Sequence, residues 1–167
     1  VNALLCNTSG CQNTAIGMNA LFCNTEGRGN TSTGVNSLFC NTTGCYNSSY
    51  GVGALTRNTT ACCNSAFGFN ALRLNTEGTK NSALGLNALR SNVTGSNNTA
   101  VGTNALFYNT ASTNTAFGSA SLFCNTSGSG NTGLGFNALC KNNGDCNTAV
   151  GQNSLLFNET GCKNTAV

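Results

Sequence analysis

Residues 98–106 read Asn98-Thr99-Ala100-Val101-Gly102-Thr103-Asn104-Ala105-Leu106, and close variants of this phrase return along the whole chain. Asn81-Ser82-Ala83-Leu84-Gly85-Leu86-Asn87-Ala88-Leu89 stands one repeat earlier, and Asn147-Thr148-Ala149-Val150-Gly151-Gln152-Asn153-Ser154-Leu155 lies near the other end. Working outward from the glycine, the unit is G-x-N-A-L-x-x-N-T-x-G-x-x-N-T-A-Φ, with Φ apolar, and its period is 17. Ten units tile the 167 residues: 1–16, 17–33, 34–50, 51–67, 68–84, 85–101, 102–117, 118–134, 135–150 and 151–167. A fixed period outranks any local secondary-structure reading, because each unit is then one element of a stacked array. The chain begins at unit position 2 and stops at position 17, the pattern expected of an excerpt from a longer array.

The invariant positions identify the interior. Position 5 is Leu in every unit: Leu4, Leu21, Leu38, Leu55, Leu72, Leu89, Leu106, Leu122, Leu139 and Leu155. Position 17 is apolar except at Thr33, so positions 5 and 17 are expected to form the core. Position 8 is always Asn (Asn7, Asn24, Asn41, Asn58, Asn75, Asn92, Asn109, Asn125, Asn142, Asn158), and so is position 14 (Asn13, Asn30, Asn47, Asn64, Asn81, Asn98, Asn114, Asn131, Asn147, Asn164). An exposed loop would not demand that, so both sets are expected to stack as amide-to-amide ladders along the array. Positions 4 and 16 hold only Ala, Ser or Gly, and position 1 is Gly wherever present, which marks close packing or a turn.

A unit this short, rich in Asn, Thr and Gly, suits strands and turns rather than the helices of longer repeats. The expected fold is all-β: a parallel β-solenoid, or β-roll, of ten coils, with two short strands per coil over positions 14–17 and about 3–7. Turns are expected at the position-1 Gly and at Asn-Thr-x-Gly, positions 8–11. Stacking at about 4.8 Å per coil makes a rod of roughly 48 Å, one domain spanning 1–167.

If Leu faces inward, strict alternation sends positions 2, 4 and 6 outward. Positions 2 and 6 are mostly apolar, with Met18, Val35, Phe69, Leu86 and Phe136 in one row and Phe22, Phe39, Phe107, Phe123 and Leu156 in the other. An exposed apolar stripe of about 500 Å² is in the range of partner surfaces, so lateral self-association is expected.

The run from Asn98 to Leu106 resembles the NTAVGxNALxxNTTG-type repeats of phage tail-fibre and cell-surface fibre proteins, and the resemblance covers all ten units. More distantly the chain is similar to the head repeats of trimeric autotransporter adhesins. That resemblance implies a left-handed β-roll packed as a trimer.

Composition excludes most enzyme chemistry. There is no His, and the four carboxylates, Glu26, Glu77, Asp145 and Glu159, are scattered, so no catalytic residue and no His-ligated metal site is expected. No cofactor is implied. The net charge of +3 is spread over dispersed cations, unlike a nucleic-acid footprint. No apolar run approaches the about 20 residues of a membrane span, and no leader opens the chain, so no membrane insertion is expected.

Eleven Cys are too many for a reducing cytosol without metal, and a tight four-Cys zinc cluster is lacking. Position 7 holds Cys6, Cys23, Cys40 and Cys124, and position 12 holds Cys11, Cys45, Cys62 and Cys162. Bridges across the intervening turn are candidates: Cys6 to Cys11, Cys40 to Cys45 and, shifted, Cys140 to Cys146. Cys45 and Cys62 compete, because they occupy one position of successive coils at a spacing a disulfide accepts. An odd count leaves at least one thiol free or paired between chains, from Cys23, Cys62, Cys63, Cys124 and Cys162.

Nine Asn-x-Ser/Thr sequons occur, but the turn itself favours Asn-Thr. Asn97, at an exposed turn, is the preferred glycan acceptor over Asn30 and Asn47, which are expected in a ladder. Position 15 is always Thr or Ser, which raises ice binding, although alternation would bury that row with Φ. The expected function is a structural segment of an extracellular, cell-surface or virion-surface fibre that self-associates. The alternatives are an adhesin fibre binding a host surface or glycan, and an ice-binding solenoid.

Overall fold

The computed structural model describes residues 2–167. It is an all-β parallel solenoid whose strands are β1 (Thr14–Ile16), β2 (Thr31–Thr33), β3 (Ser48–Tyr50), β4 (Ser65–Phe67), β5 (Ser82–Leu84), β6 (Thr99–Val101), β7 (Thr115–Phe117), β8 (Thr132–Leu134), β9 (Thr148–Val150) and β10 (Thr165–Ala166). They form one ten-stranded sheet in chain order. Register advances by one unit per strand: Thr14 pairs with Thr31, and Ser48 with Ser65. The shorter units keep it, with Thr99 opposite Thr115 and Thr132 opposite Thr148. Parallel neighbours need a crossover, and here the rest of each unit supplies it as one turn of the coil.

The second strand expected over positions 3–7 does not form. That stretch is a run of turns, because two of its residues take the left-handed conformation in coil after coil: Asn19 at φ 57° and Leu21 at φ 50°, Asn70 at φ 56° and Leu72 at φ 50°. Ala20 N–H donates back to the Gly17 carbonyl at 3.4 Å, closing a four-residue turn whose third residue must have positive φ. Asn or Gly meets that demand most readily, which explains why Gly53 can replace Asn at position 3; Ala120 holds the same conformation at φ 55°. A second turn follows, with Asn24 N–H donating to the Leu21 carbonyl at 3.2 Å.

Leucine in this conformation is strained by about 1–3 kcal/mol per site and persists only where its surroundings over-determine it. Leu21 N–H is held by the Ser37 carbonyl at 3.0 Å and Leu38 N–H by the Ala54 carbonyl at 3.0 Å. The Leu side chains are fully buried from Leu21 through Leu139. A side chain branching at Cγ tolerates the backbone better than a β-branched one, which among the described residues takes this conformation only at the exposed Thr113, φ 63°. No position 5 carries Val or Ile.

Left-handed residues also break the alternation, so the expected facing is corrected in two places. Position 4 points inward rather than outward: Ala20, Ala54, Ala71 and Ala88 are completely buried. Position 17 is not core: Ile16 is 60% exposed and Leu84 53%, while the small residue at position 16 turns inward, as Ala66 and Ala100 do. Within the strand, alternation holds, with positions 15 and 17 outward. The interior has room for a small residue opposite each Leu but not for two large ones. Where Ser replaces Ala it is satisfied, as in Ser37 Oγ to Ser49 Oγ at 2.7 Å.

Hydrogen bonds between coils continue through the turns. Gly34 N–H donates to Ile16 O at 2.8 Å, Asn36 N–H to Met18 O at 3.0 Å, and Cys23 N–H to Phe39 O at 3.0 Å. Each coil is therefore bonded to its neighbours around much of its circumference, which offsets how little apolar area one coil buries alone. The outermost coils have one neighbour each, and Leu4 and Leu155 are correspondingly half-buried.

Candidate functional site

The interior is organised by two Asn columns and one carbonyl row. At position 8 the amides bond one to the next: Asn24 Nδ2 to Asn7 Oδ1 at 2.7 Å, Asn41 to Asn24 at 2.8 Å, Asn58 to Asn41 at 2.9 Å, and onward to Asn158 on Asn142 at 2.8 Å. Each Nδ2 also donates to the position-11 carbonyl of its own coil, as Asn41 does to Gly44 O at 2.9 Å. Position 14 departs from the expected amide-to-amide pattern. Its Oδ1 accepts the main-chain N–H of the next Asn in the column, for example Asn64 N–H to Asn47 Oδ1 at 3.0 Å. Its Nδ2 reaches the position-11 carbonyl of the next coil, as Asn47 does to Ala61 O at 2.9 Å. Direct amide contacts such as Asn47 Nδ2 to Asn30 Oδ1 at 3.1 Å are added to these.

The position-11 carbonyl thus collects two amides, one from each column: Gly78 O takes Asn75 at 2.8 Å and Asn64 at 2.9 Å. This crowding favours glycine, although Ala61 and Ala111 take the position in two coils. A Cβ on Gly27 would lie 2.5 Å from Gly44 O and 2.7 Å from Asn41 Nδ2. The short unit 135–150 interrupts the scheme once. Asn131 Nδ2 is buried without a partner, although Asn131 Oδ1 still accepts Asn147 N–H at 2.8 Å. In the same coil Asn143 Oδ1 accepts Thr126 N–H at 2.8 Å, where a main-chain carbonyl serves in full-length coils, such as Thr42 O for Thr25 N–H.

Position 12 supplies a side-chain acceptor to the coil before it. Ser96 Oγ accepts Thr79 N–H at 3.0 Å, Asp145 Oδ1 accepts Ser129 N–H at 2.8 Å, and Cys62 Sγ accepts Cys45 N–H at 3.1 Å. This role for position 12 was not read from the sequence, although Cys, Ser, Thr and Asp recurring there was the signal. All eleven Cys are free thiols, including Cys6, Cys11, Cys40, Cys45, Cys140 and Cys146. Burial pushes the thiols of Cys23, Cys62 and Cys140 above the usual range. For Cys23 the neighbouring Cys40 and Cys6 add to the rise, in that order.

On the outside, the expected association rows are apolar and accessible. Met18, Phe69, Leu86 and Phe136 are exposed, whereas Val35, Phe22, Phe39, Phe107, Phe123 and Leu156 are half-buried. Rows 2 and 6 share one face, since a groove there is lined by Val52 and Phe69 together with Thr56 and Arg73. Stacking along row 6 explains its partial cover: Phe22 on Phe39 at 5.2 Å and Phe107 on Phe123 at 5.3 Å between centroids. Row 17 extends the apolar surface across the glycine row, with Tyr50 stacked on Phe67 at 4.8 Å. A second shallow groove on the sheet is lined by Ser65, Phe67, Ser82, Leu84 and Val101. Cations rest on aromatic faces one coil away, Arg28 on Tyr46 and Arg90 on Phe107.

Among the sequons, Asn97 is exposed at φ 59°, whereas Asn30 and Asn47 are buried in their column. Asn41, Asn58, Asn92 and Asn125 are buried too, each donating both to a neighbouring amide and to a carbonyl. Among the described residues no group of three or more His, Cys, Asp or Glu is placed to hold a metal. Among the described residues no helix is long and apolar enough to cross a membrane. No protein-family model, curated protein or solved structure matches the chain.

Proposed function

We propose that the chain is a structural segment of an extracellular or virion-surface fibre that associates laterally with copies of itself. The observation that carries this reading is the pair of adjoining apolar faces on a rod whose interior is spent on self-stacking. Rows 2 and 6 cover a stripe about 48 Å long and about 10 Å wide, on the order of 500 Å², and row 17 adds a second apolar row on the sheet. Burial there is worth about 25 cal/mol per Å² before the cost of association is subtracted. Phe69 and Phe136, exposed at 52% and 50%, are the natural anchors. Sedimentation velocity of the chain beside a Phe69→Glu, Phe136→Glu double variant tests it. The wild type should sediment as a multimer and the variant shift toward monomer. A wild-type chain that stays monomeric at the highest concentration reached contradicts the reading.

One observation favours a second reading. The Thr and Ser of position 15 face outward, as at Thr31, Thr99 and Thr115, rather than lying buried with Φ. A regular hydroxyl row on a parallel sheet is a surface on which water could be ordered, so ice binding ranks second. It ranks below the fibre because Tyr50, Phe67 and Phe117 project beside the row and interrupt its flatness. Thermal hysteresis and ice shaping would favour it; their absence removes it.

A further inference from the structure

We propose that this solenoid is stapled along its axis, coil to coil, by a Cys45–Cys62 disulfide, and that the turn-spanning Cys40–Cys45 pair is not the native one. This goes beyond the fibre reading and stands whether or not the rod self-associates.

Cys45 and Cys62 occupy position 12 of successive coils held in register by the β3–β4 pairing, Ser48 opposite Ser65. Two contacts bracket Cys45 against the next coil: its N–H donates to Cys62 Sγ at 3.1 Å, and its carbonyl accepts Cys63 N–H at 3.0 Å. The two thiols take the same local pose, Cys45 Sγ on Thr43 O at 3.2 Å and Cys62 Sγ on Thr60 O at 3.5 Å. They are therefore related by one coil step, and a step of about 4.8 Å lies within the Cα separation that a disulfide spans. Cys40, the turn-spanning rival, has its N–H on the Thr56 carbonyl at 3.0 Å, and its turn is pinned from inside by Asn41 Nδ2 on Gly44 O at 2.9 Å.

The same logic makes Cys6, Cys23 and Cys40 a three-thiol column at position 7, in which Cys23 has a neighbour on each side. Cys23 can pair with one of them, leaving the other unpaired within that column. Cys45, Cys62, Cys23 and Cys40 are half-buried and Cys6 is exposed, so a small oxidant has access.

With hydrogen peroxide as the oxidant, the step balances. One thiolate attacks a peroxide oxygen, the O–O bond breaks, and a sulfenic acid and hydroxide form. The second thiolate then attacks the sulfenic sulfur, the S–S bond forms, and the S–O bond breaks to release a second hydroxide. The two thiol protons convert both hydroxides to water, so two thiols and one peroxide yield one disulfide and two waters.

The experiment is non-reducing peptide mapping of the reduced full chain after peroxide treatment and alkylation. Cleavage at Arg28, Arg57 and Arg73 places Cys40 and Cys45 on peptide 29–57 and Cys62 and Cys63 on peptide 58–73. The expected result is a 29–57/58–73 cross-link that Cys63→Ser retains and Cys62→Ser abolishes. Cys62→Ser is expected to fold, because Ser96 already plays the position-12 acceptor role for Thr79. An internal Cys40–Cys45 link, no cross-link at all, or a cross-link that follows Cys63 instead would each overturn the proposal.

Discussion

The two Asn columns are identical in residue type but do different work. Position 8 copies itself: each amide meets the amide above and below, as Asn75 does with Asn58 at 3.0 Å and Asn92 does with Asn75 at 2.9 Å. Position 14 instead caps main chain: Asn81 Oδ1 takes Asn98 N–H at 3.0 Å. The first column is replaceable in principle by another self-pairing group. The second is tied to a backbone donor that has no alternative. The lesson is that an invariant row in a repeat can report backbone satisfaction rather than side-chain stacking.

That contrast is open to direct attack. Asn81→Ala should be the most damaging change, because it strands the Asn98 N–H in the interior; the loss is about 3 kcal/mol by denaturant unfolding. Asn75→Ala leaves an unfilled acceptor on Asn58 and takes one acceptor from Asn92 Nδ2, but Asn92 keeps Gly95 O, Gly78 O keeps its bond from Asn64 and no main-chain group is stranded, so it should cost about 1 kcal/mol less. Equal losses, or the reverse order, would erase the distinction.

Next in size is the strained Leu row. Leu72→Val should cost about 2 kcal/mol more than Leu72→Met, since Val carries its branch at the carbon that the left-handed backbone crowds. If Val and Met are tolerated alike in thermal melts, the positive φ at position 5 is not a constraint.

A smaller effect is expected at the carbonyl row where the columns meet. Gly78→Ala pushes a Cβ toward Gly95 O and Asn75 Oδ1, yet Ala61 and Ala111 already occupy position 11 in other coils. In the coil that carries Ala61 the contact of Thr59 N–H with Thr76 O is 3.4 Å, against 2.9 Å for Thr42 with Thr59. A cost of about 1 kcal/mol is predicted, within the usual range for single changes.

The weakest perturbation is pH. Burial raises the thiols of Cys62, Cys23 and Cys140, so the folded chain holds those protons more tightly than the unfolded one. Their stabilising contribution is complete below the ordinary thiol value of about 8.5 and is lost as pH rises through the higher folded values. Under reducing conditions the unfolding midpoint should be flat at neutral pH and fall slightly toward about pH 9.5. A rising midpoint would mean the thiols are better solvated in the rod than in the coil.

Period, register, the Leu core and both buried Asn columns were legible in the sequence, because stacking forces each interior demand to repeat at a fixed offset. Facing was not. Alternation assumes extended backbone, and the positive φ at Asn19 and Leu21 turns position 4 inward and leaves no strand there. Two signals marked it in hindsight: Gly53 substituting for Asn at position 3, and the absence of any β-branched residue at position 5. The outward Thr row and the exposed row 17 were missed for a related reason. The apolar character of Φ argues for core, whereas the narrow interior accepts Ala66 or Ala100 at that level and sends Phe67 and Val101 outside.

The most direct test of the account is hydrogen exchange at assigned Asn side-chain amides by NMR. Asn58, Asn75 and Asn92 sit in the middle of the column, and Asn97 and Asn143 are exposed on the same rod. The side-chain NH2 protons of the first three should exchange orders of magnitude more slowly than those of the last two. Equal rates would mean that the coils do not lie in register and that the columns do not exist.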